Sequence, residues 1–239
     1  MSDRAVILAG GQGTRLRPYT TVFPKPLMPI GDMPILEIVL RQLAASGFRD
    51  VTLAVSYLAE LIEAFCGDGS RFGVQLTYSR EERPLSTAGP LRLIRELDQT
   101  FLVMNGDILT TLDYRSLLEH HRRGGAAATI AVHRRAVQID YGVVEVTADG
   151  RLGRYHEKPQ HHYIVSMGVN VLEPRALQLI GEHEALGMPD LLLRLRDAGE
   201  TVLAFEPTCR WLDIGRLEDH AAALDTFQAH RAEFLPGGS

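Results

Sequence analysis

Residues 5–15 read Ala5-Val6-Ile7-Leu8-Ala9-Gly10-Gly11-Gln12-Gly13-Thr14-Arg15. Five apolar residues without polar alternation, stopped by glycines, are the pattern of a short strand buried on both faces. Helices must then cover the sheet on both sides, which predicts an α/β fold with a mostly parallel sheet. The glycines after the strand free the backbone N–H groups to turn toward an anion, and Arg15 can grip a phosphate bidentately. The loop is not a dinucleotide fingerprint, because Leu16 stands where a third glycine belongs, nor a Walker A loop, because no Gly-Lys follows.

Outward from this stretch, strand and helix patterns alternate. Pro34 opens a helix with apolar positions Ile35, Leu36, Ile38, Val39, Leu43 and Ala44, closed by Gly47. Strands are expected over 51–55, 74–78, 101–104 and 128–132, with helices over 58–65, 91–97 and from an Asp113 cap through His121. From Tyr141 the character changes: Val143 to Val146, a turn at Asp149-Gly150 and Leu152 to His156 read as a hairpin. A strand over 164–172, helices from Pro174 and Pro189, a strand over 201–205 and a helix over 217–227 complete the reading. The expectation is one domain, 1–239: a Rossmann-like, mostly parallel sheet sandwiched by helices. Its first part covers about 1–135, a small β-rich insert about 136–215, and a C-terminal helix about 216–230. Strands ending at Gly10-Gly11, Asp107 and near Asp213 place those residues in one cleft at the carboxyl edge of the sheet.

Composition narrows the class. With 45% hydrophobic residues and a net charge of -5, the chain reads as a globular protein with no footprint for nucleic acid or an anionic membrane. No apolar run approaches ~18 residues, and the N-terminus is too short and glycine-rich for a signal peptide, which reads as cytoplasmic. The two cysteines, Cys66 and Cys209, suggest neither a disulfide framework nor a zinc site. The histidines, including His120 and His121 at an expected helix end and His156, His161 and His162, read as solvated rather than as ligands. Of 25 basic residues only Lys25 and Lys158 are lysines, and each precedes a proline. In a chain that otherwise uses arginine, a compact ammonium on restrained backbone suits a phosphate clamp.

The run Leu8 to Ile30, LAGGQGTRLRPYTTVFPKPLMPI, resembles the signature of sugar-1-phosphate nucleotidylyltransferases. The resemblance continues in order through Pro84 to Leu91, Val103 to Asp107, Tyr141-Gly142, Glu157-Lys158-Pro159 and Asp213-Ile214-Gly215. Tyr19 stands where Leu is common, and Ser86 where Gly is common. The implied chemistry is in-line attack of a sugar 1-phosphate oxygen on the α-phosphorus of a nucleoside triphosphate, with pyrophosphate leaving. The nucleophile is already an anion, so cancelling charge between two polyanions is the main task, and Mg²⁺ with Arg and Lys supplies it. The resemblance implies Arg15, Lys25 and Asp107 as catalytic residues and Asp107 with Asp213 on Mg²⁺. It implies Gly11, Thr87 and Gly89 around the nucleoside, with Leu8, Gly10, Gly13, Thr14, Glu82 and Ala88 beside them. Glu157 would bind sugar hydroxyls, Lys158 the sugar phosphate and Gly142 the sugar through its amide, with Asn105 and Asn170 nearby.

A carboxylate, Glu81 or Glu82, suits guanine, which offers two adjacent donors, and the loop lacks the Gln or Asn that would suit uracil or thymine. The run Pro84 to Leu91 also resembles the mannose-1-phosphate guanylyltransferase branch more than the thymidylyl one. The resemblance thus implies a nucleotide-binding part over about 1–135 and a sugar-binding insert over about 136–215. As substrates it implies GTP with mannose 1-phosphate or a related manno- or heptose 1-phosphate, the alternative being UTP or dTTP with glucose 1-phosphate. A catalytically silent nucleotide-sugar-binding protein is the reading from another class. A metal-holding glycosyltransferase is disfavoured because no two aspartates stand as Asp-x-Asp. The chain stops soon after the last expected helix, so no second activity is expected, and a homo-oligomer stays open.

Overall fold

Val6 and Ile7 are adjacent, both fully buried, and belong to different halves of the core. Val6 packs with Val103, Leu91 and Leu191, whereas Ile7 packs with Ile38, Leu53 and Met104. This two-sided burial is what the apolar run of the first strand requires. The computed structural model describes residues 3–215 and 217–235.

In chain order the elements are β1 (Asp3–Leu8), β2 (Pro29–Ile30), β3 (Met33–Pro34), α1 (Ile35–Ala45), β4 (Phe48–Val55), α2 (Ala59–Cys66) and β5 (Gln75–Arg80). There follow β6 (Phe101–Asn105), β7 (Ile108–Thr110), α3 (Tyr114–Gly124), β8 (Ala128–Gln138), β9 (Val143–Val146), β10 (Leu152–His156) and β11 (Gln160–Leu172). The chain continues through α4 (Met188–Asp197), β12 (Val202–Phe205), β13 (Trp211–Asp213), α5 (Leu217–Ala229) and α6 (Arg231–Phe234). Of the expected C-terminal helix, residue 216 lies outside the described residues.

The main sheet has seven strands in the order β12-β8-β11-β6-β1-β4-β5. All neighbours run parallel except β11, which is antiparallel to both β6 and β8. Buried side chains of α1, α2 and α3 cover one face and those of α4 the other, giving the Rossmann-like sandwich expected from the sequence. Local chemistry sets the boundaries. Asp113 caps α3 by accepting from the N–H groups of Arg115 at 2.9 Å and Ser116 at 3.3 Å, and Gly125, with φ 58°, ends it.

Three expectations are corrected. The helix over 91–97 is a short 3₁₀ turn, Gly89–Leu93, opened by Pro90 and ended by Ile94 in extended backbone. Too few residues remain before the strand to nucleate an α-helix. The segment from Pro174 is likewise a 3₁₀ turn, Pro174–Leu179. Thirdly, α3 runs on to Gly124, so His121 falls in an interior turn and is buried, with its ring bonded to Thr129 at 2.8 Å and Glu173 at 3.1 Å. It is a core residue, not a solvated one.

Strands β8 and β11 also extend further than the apolar pattern indicates. Beyond the sheet, residues 134–138 pair with 160–164 as a ribbon exposed on both faces. The β9–β10 hairpin lies between these two strands in the sequence and contributes Gly142, Glu157 and Lys158 at its ends. An irregularity in β11 between Ser166 and Asn170 breaks its register with β8. Gly168, at φ +71°, sits in that bulge, and a Cβ there would come within 2.8 Å of Asn105 Nδ2.

Candidate active site

Past Leu8 the chain leaves the sheet at its carboxyl edge. Ala9 N–H donates to Ala54 O at 2.8 Å, and Leu8 O accepts from Gly106 N–H at 2.9 Å, so the starts of the loops after β1 and β6 are tied to the ends of β4 and β1. Each early glycine has its own reason. A Cβ on Gly10 would stand 2.8 Å from Glu81 Oε1 and 3.1 Å from Ser56 Cβ. Gly13 is left-handed at φ +59° and faces Thr20 and Lys25, while Gly11 faces nothing within 4 Å, only open space. Leu16, fully buried, anchors the 3₁₀ turn Thr14–Leu16 and leaves Arg15 exposed.

Lys25 opens the 3₁₀ turn Lys25–Leu27, between Pro24 and Pro26. The fixed φ of both prolines restrains the backbone that presents its stem. The lysine is buried, and its Nζ donates to Asp107 Oδ2. Asp107 follows β6, and Asp213 ends β13, paired with Ile108. Close packing of protein around Asp213, which keeps contact with solvent, raises its carboxyl above the ordinary aspartate value. The Asp107 charge raises it further, and Lys25 and Arg15 pull it down. Arg15 NH1 lies 3.2 Å from the position of a Cβ on Gly215, which places the guanidinium against the loop after Asp213. Two cations from the β1–β2 connection and two carboxylates, one between β6 and β7 and one at the end of β13, thus meet at the sheet edge.

Beside them opens a cleft of about 340 Å³ walled by the loops after β1, β4, β5 and β6. Of the residues expected from the sequence, Leu8, Gly10, Gly11, Lys25, Thr87, Asn105 and Asp107 line it. Ala88 and Gly89 are buried behind the wall, and both their N–H groups donate to Leu186 O, at 2.8 and 3.1 Å. Gly89 is required by packing, since a Cβ would meet Glu184 O at 2.3 Å. Gly13, Thr14, Arg15 and Asp213 stand outside the lining, Arg15 and Asp213 within the charge cluster just described.

A family model described as Nucleotidyl transferase matches residues 4–229. The chain belongs to this family. Among its relatives a UTP--glucose-1-phosphate uridylyltransferase from Synechocystis is 37% identical over 242 residues, covering 92% of this chain and 62% of that protein. A mannose-1-phosphate guanylyltransferase catalytic subunit beta from Danio rerio is 36% identical, covering 92% of this chain and 63% of that protein. The chain therefore spans somewhat under two thirds of the length of these curated relatives. A crystal structure of HddC from Yersinia pseudotuberculosis complexed with GMP-PN superposes with a TM-score of 0.71 at 25% identity, covering 95% of this chain and all of that one.

Within this nucleotidyl transferase fold, some of the expected residues stand off the cleft, and some that line it were not expected. Glu82 is exposed and off the cleft, while its neighbour Glu81 lines it, with Oε2 accepting from Leu85 N–H at 2.9 Å. Burial pushes the Glu81 carboxyl up, against hydrogen bonds from Leu85 and Ser56 that pull it down. Ser56 and Tyr57 were missed, although any residue just past a strand adjacent to β1 faces the same crevice. Tyr57 also ties the glycine loop by donating to Thr21 O at 2.9 Å.

The residues read as sugar-binding do not join the cleft wall, apart from Asn105. Gly142, Glu157 and Lys158 form their own group at the ends of the β9–β10 hairpin, where Lys158 has a left-handed φ of 44°. Asn170 is buried in β11, its Oδ1 without a hydrogen-bond partner, and does not line the cleft. Among the described residues no helix is long and apolar enough to cross a membrane, and no three metal-ligating side chains group together.

Proposed function

We propose that this chain transfers a nucleotidyl group from a nucleoside triphosphate to a sugar 1-phosphate, releasing pyrophosphate and forming a nucleoside-diphosphate sugar. The observation that carries the reading is the cluster of Lys25, Arg15, Asp107 and Asp213 at the mouth of a glycine-walled cleft. The triphosphate lies over Gly10 and Gly11, where no Cβ obstructs its approach, with Lys25 and Arg15 on its phosphates. The acceptor phosphate is held by Lys158 and the sugar hydroxyls by Glu157. No general base is needed, because the attacking oxygen is already anionic; the residues' work is positioning and charge cancellation.

The donor set fits Mg²⁺. That ion is characteristically held by one or two carboxylates with waters and substrate phosphates completing its shell, and Asp107 and Asp213 repel one another as such a pair does. When bound it would neutralise charge on the phosphates. The two aspartates would hold it.

For the base, the relatives point both ways, one uridylyl and one guanylyl. Glu81 favours guanine: an anionic carboxylate inside the cleft can accept from N1–H and the 2-amino group together. GTP with mannose 1-phosphate or a related manno- or heptose 1-phosphate is the pair we favour. Pyrophosphate release from four nucleoside triphosphates against a panel of sugar 1-phosphates tests both levels. Release with no pair would remove the activity and leave a silent binding protein, and a clear kcat/KM preference for UTP or dTTP would remove the guanine assignment alone.

A further inference from the structure

Tyr155 in β10 sits opposite Val144 in β9, two residues before Glu157. Its hydroxyl donates to Glu157 Oε2 at 3.0 Å. The same hydroxyl oxygen stands 2.1 Å from the point that a Cβ on Gly142 would occupy, and Glu157 Oε2 stands 3.1 Å from it. The phenol thus fills space that only a glycine at 142 leaves open, and any side chain there would push it off the carboxylate. A tyrosine and a glutamate bonded on an open strand surface are ordinarily of little consequence. Here the glycine fitted around the hydroxyl makes the contact specific, and the left-handed backbone of Lys158 immediately follows. Backbone held in that region by a non-glycine residue costs energy and recurs at functional sites.

We infer that Tyr155 is a positioning residue for Glu157: by pinning one carboxylate oxygen it sets the side chain before the sugar arrives and leaves the other oxygen for a sugar hydroxyl. Glu157 Oε1 makes no hydrogen bond to another described residue, so it keeps its accepting capacity. A free glutamate side chain gives up rotamer entropy on binding, and an anchored one has already given it up. The inference rests on the reading of Glu157 as a sugar ligand, and it explains why a glycine and a tyrosine accompany it.

The test is steady-state kinetics with the sugar 1-phosphate varied at saturating nucleoside triphosphate, on the whole chain, for Tyr155→Phe, Glu157→Ala and the double variant, with Gly142→Ala as an independent perturbation. Tyr155→Phe removes one oxygen and keeps the ring. It should raise the KM for the sugar phosphate about 3- to 10-fold, the range of one hydrogen bond, with kcat and the nucleotide KM within about twofold. Gly142→Ala should move the same constant in the same direction, and in the Glu157→Ala background Tyr155→Phe should add nothing. An unchanged sugar KM in Tyr155→Phe, while Glu157→Ala raises it, overturns the positioning role and leaves the sugar site standing. An unchanged sugar KM in Glu157→Ala overturns both.

Discussion

Lys25 Nζ donates to Asp107 Oδ2, so a cation that lines the cleft is engaged by one of the two aspartates of the charge cluster. The ammonium is nearly buried, with its side chain 9% exposed. It compensates charge where Asp107 and Asp213 repel, since its presence lowers the Asp213 pKa that Asp107 raises. Lys25→Met should therefore have two separable effects. Turnover falls by about 10²-fold, as expected for loss of charge stabilisation in the transition state. The nucleotide-free protein, with its resident cation gone, binds Mn²⁺ more tightly than the parent, read by paramagnetic resonance. Weaker Mn²⁺ binding would show that Lys25 supports the carboxylates rather than competing for them.

Asp213 lies on the costly side of the same cluster. Packing around its solvent-contacting carboxyl and the Asp107 charge outweigh Lys25 and Arg15 and work against its ionised form, so a neutral side chain relieves the protein by the small amount that an exposed group allows. Asp213→Asn should raise Tm modestly in chelator while lowering kcat by about 10²-fold or more at saturating Mg²⁺. Near-normal kcat would reduce Asp213 to a structural residue.

How far the sequence discloses such a site depends on what holds each piece in place. The first strand, α1 and the β9–β10 hairpin are legible because burial on two faces, on one stripe, or around an Asp-Gly turn writes itself into residue type; Gly150 indeed adopts φ 82°. The exposed ribbon of residues 134–138 and 160–164 is illegible for the opposite reason. Both its faces meet water, so no apolar period marks it, and pairing with a strand distant in sequence is what forms it. In the site, Lys25, Asp107 and Asp213 could be picked out as rare or strand-end charges. The choice between Glu81 and Glu82 could not, because a one-residue step decides which side chain faces the cleft, and only the path of the backbone after β5 sets that step.

Ser86 carries a backbone expectation. It lines the cleft with φ 65°, a conformation that costs an ordinary residue about 1–2 kcal/mol. Glycine relieves that strain and returns part of the gain through a looser unfolded chain. Ser86→Gly should stabilise by about 0.5–1 kcal/mol, a rise of about 1–4 °C in Tm for a chain of this size. A lower Tm would mean that the serine side chain holds the loop.

His121 gives a pH signature. Burial is the largest influence on its ring and lowers its pKa, against the Glu173 contact that raises it. The unfolded chain, with histidine near the ordinary value of about 6.5, then binds a proton that the native state refuses. This contribution is intact above that value and is lost as pH falls below it toward the lower native pKa. His121→Gln should flatten the decline of Tm between about pH 7 and 5 relative to the parent, even though it lowers Tm at neutral pH. Parallel Tm profiles for the two proteins would place the titration elsewhere.

The sharpest specificity experiment uses two adjacent glutamates, Glu81 in the cleft and Glu82 outside it. Glu81 already accepts from Leu85 N–H, and its Oε1 lies where a Cβ on Gly10 would collide. Replacing it with alanine would disturb the loop and the base contact together. Glu81→Gln keeps shape and one accepting oxygen but turns the other into a donor, which meets guanine N1–H or its 2-amino group with the wrong polarity. Loss of a charged hydrogen bond and gain of a donor–donor conflict should lower kcat/KM for GTP by about 10-fold or more. Uracil and thymine alternate acceptor and donor and can use an amide, so UTP and dTTP should suffer much less and the ratio among nucleotides should turn toward them. Glu82→Gln, exposed and away from the cleft, should leave every ratio where it was. Should Glu81→Gln depress all nucleotides equally, the carboxylate would be a brace for the loop, and the choice of base would have to come from backbone groups of the Pro84 to Leu91 segment.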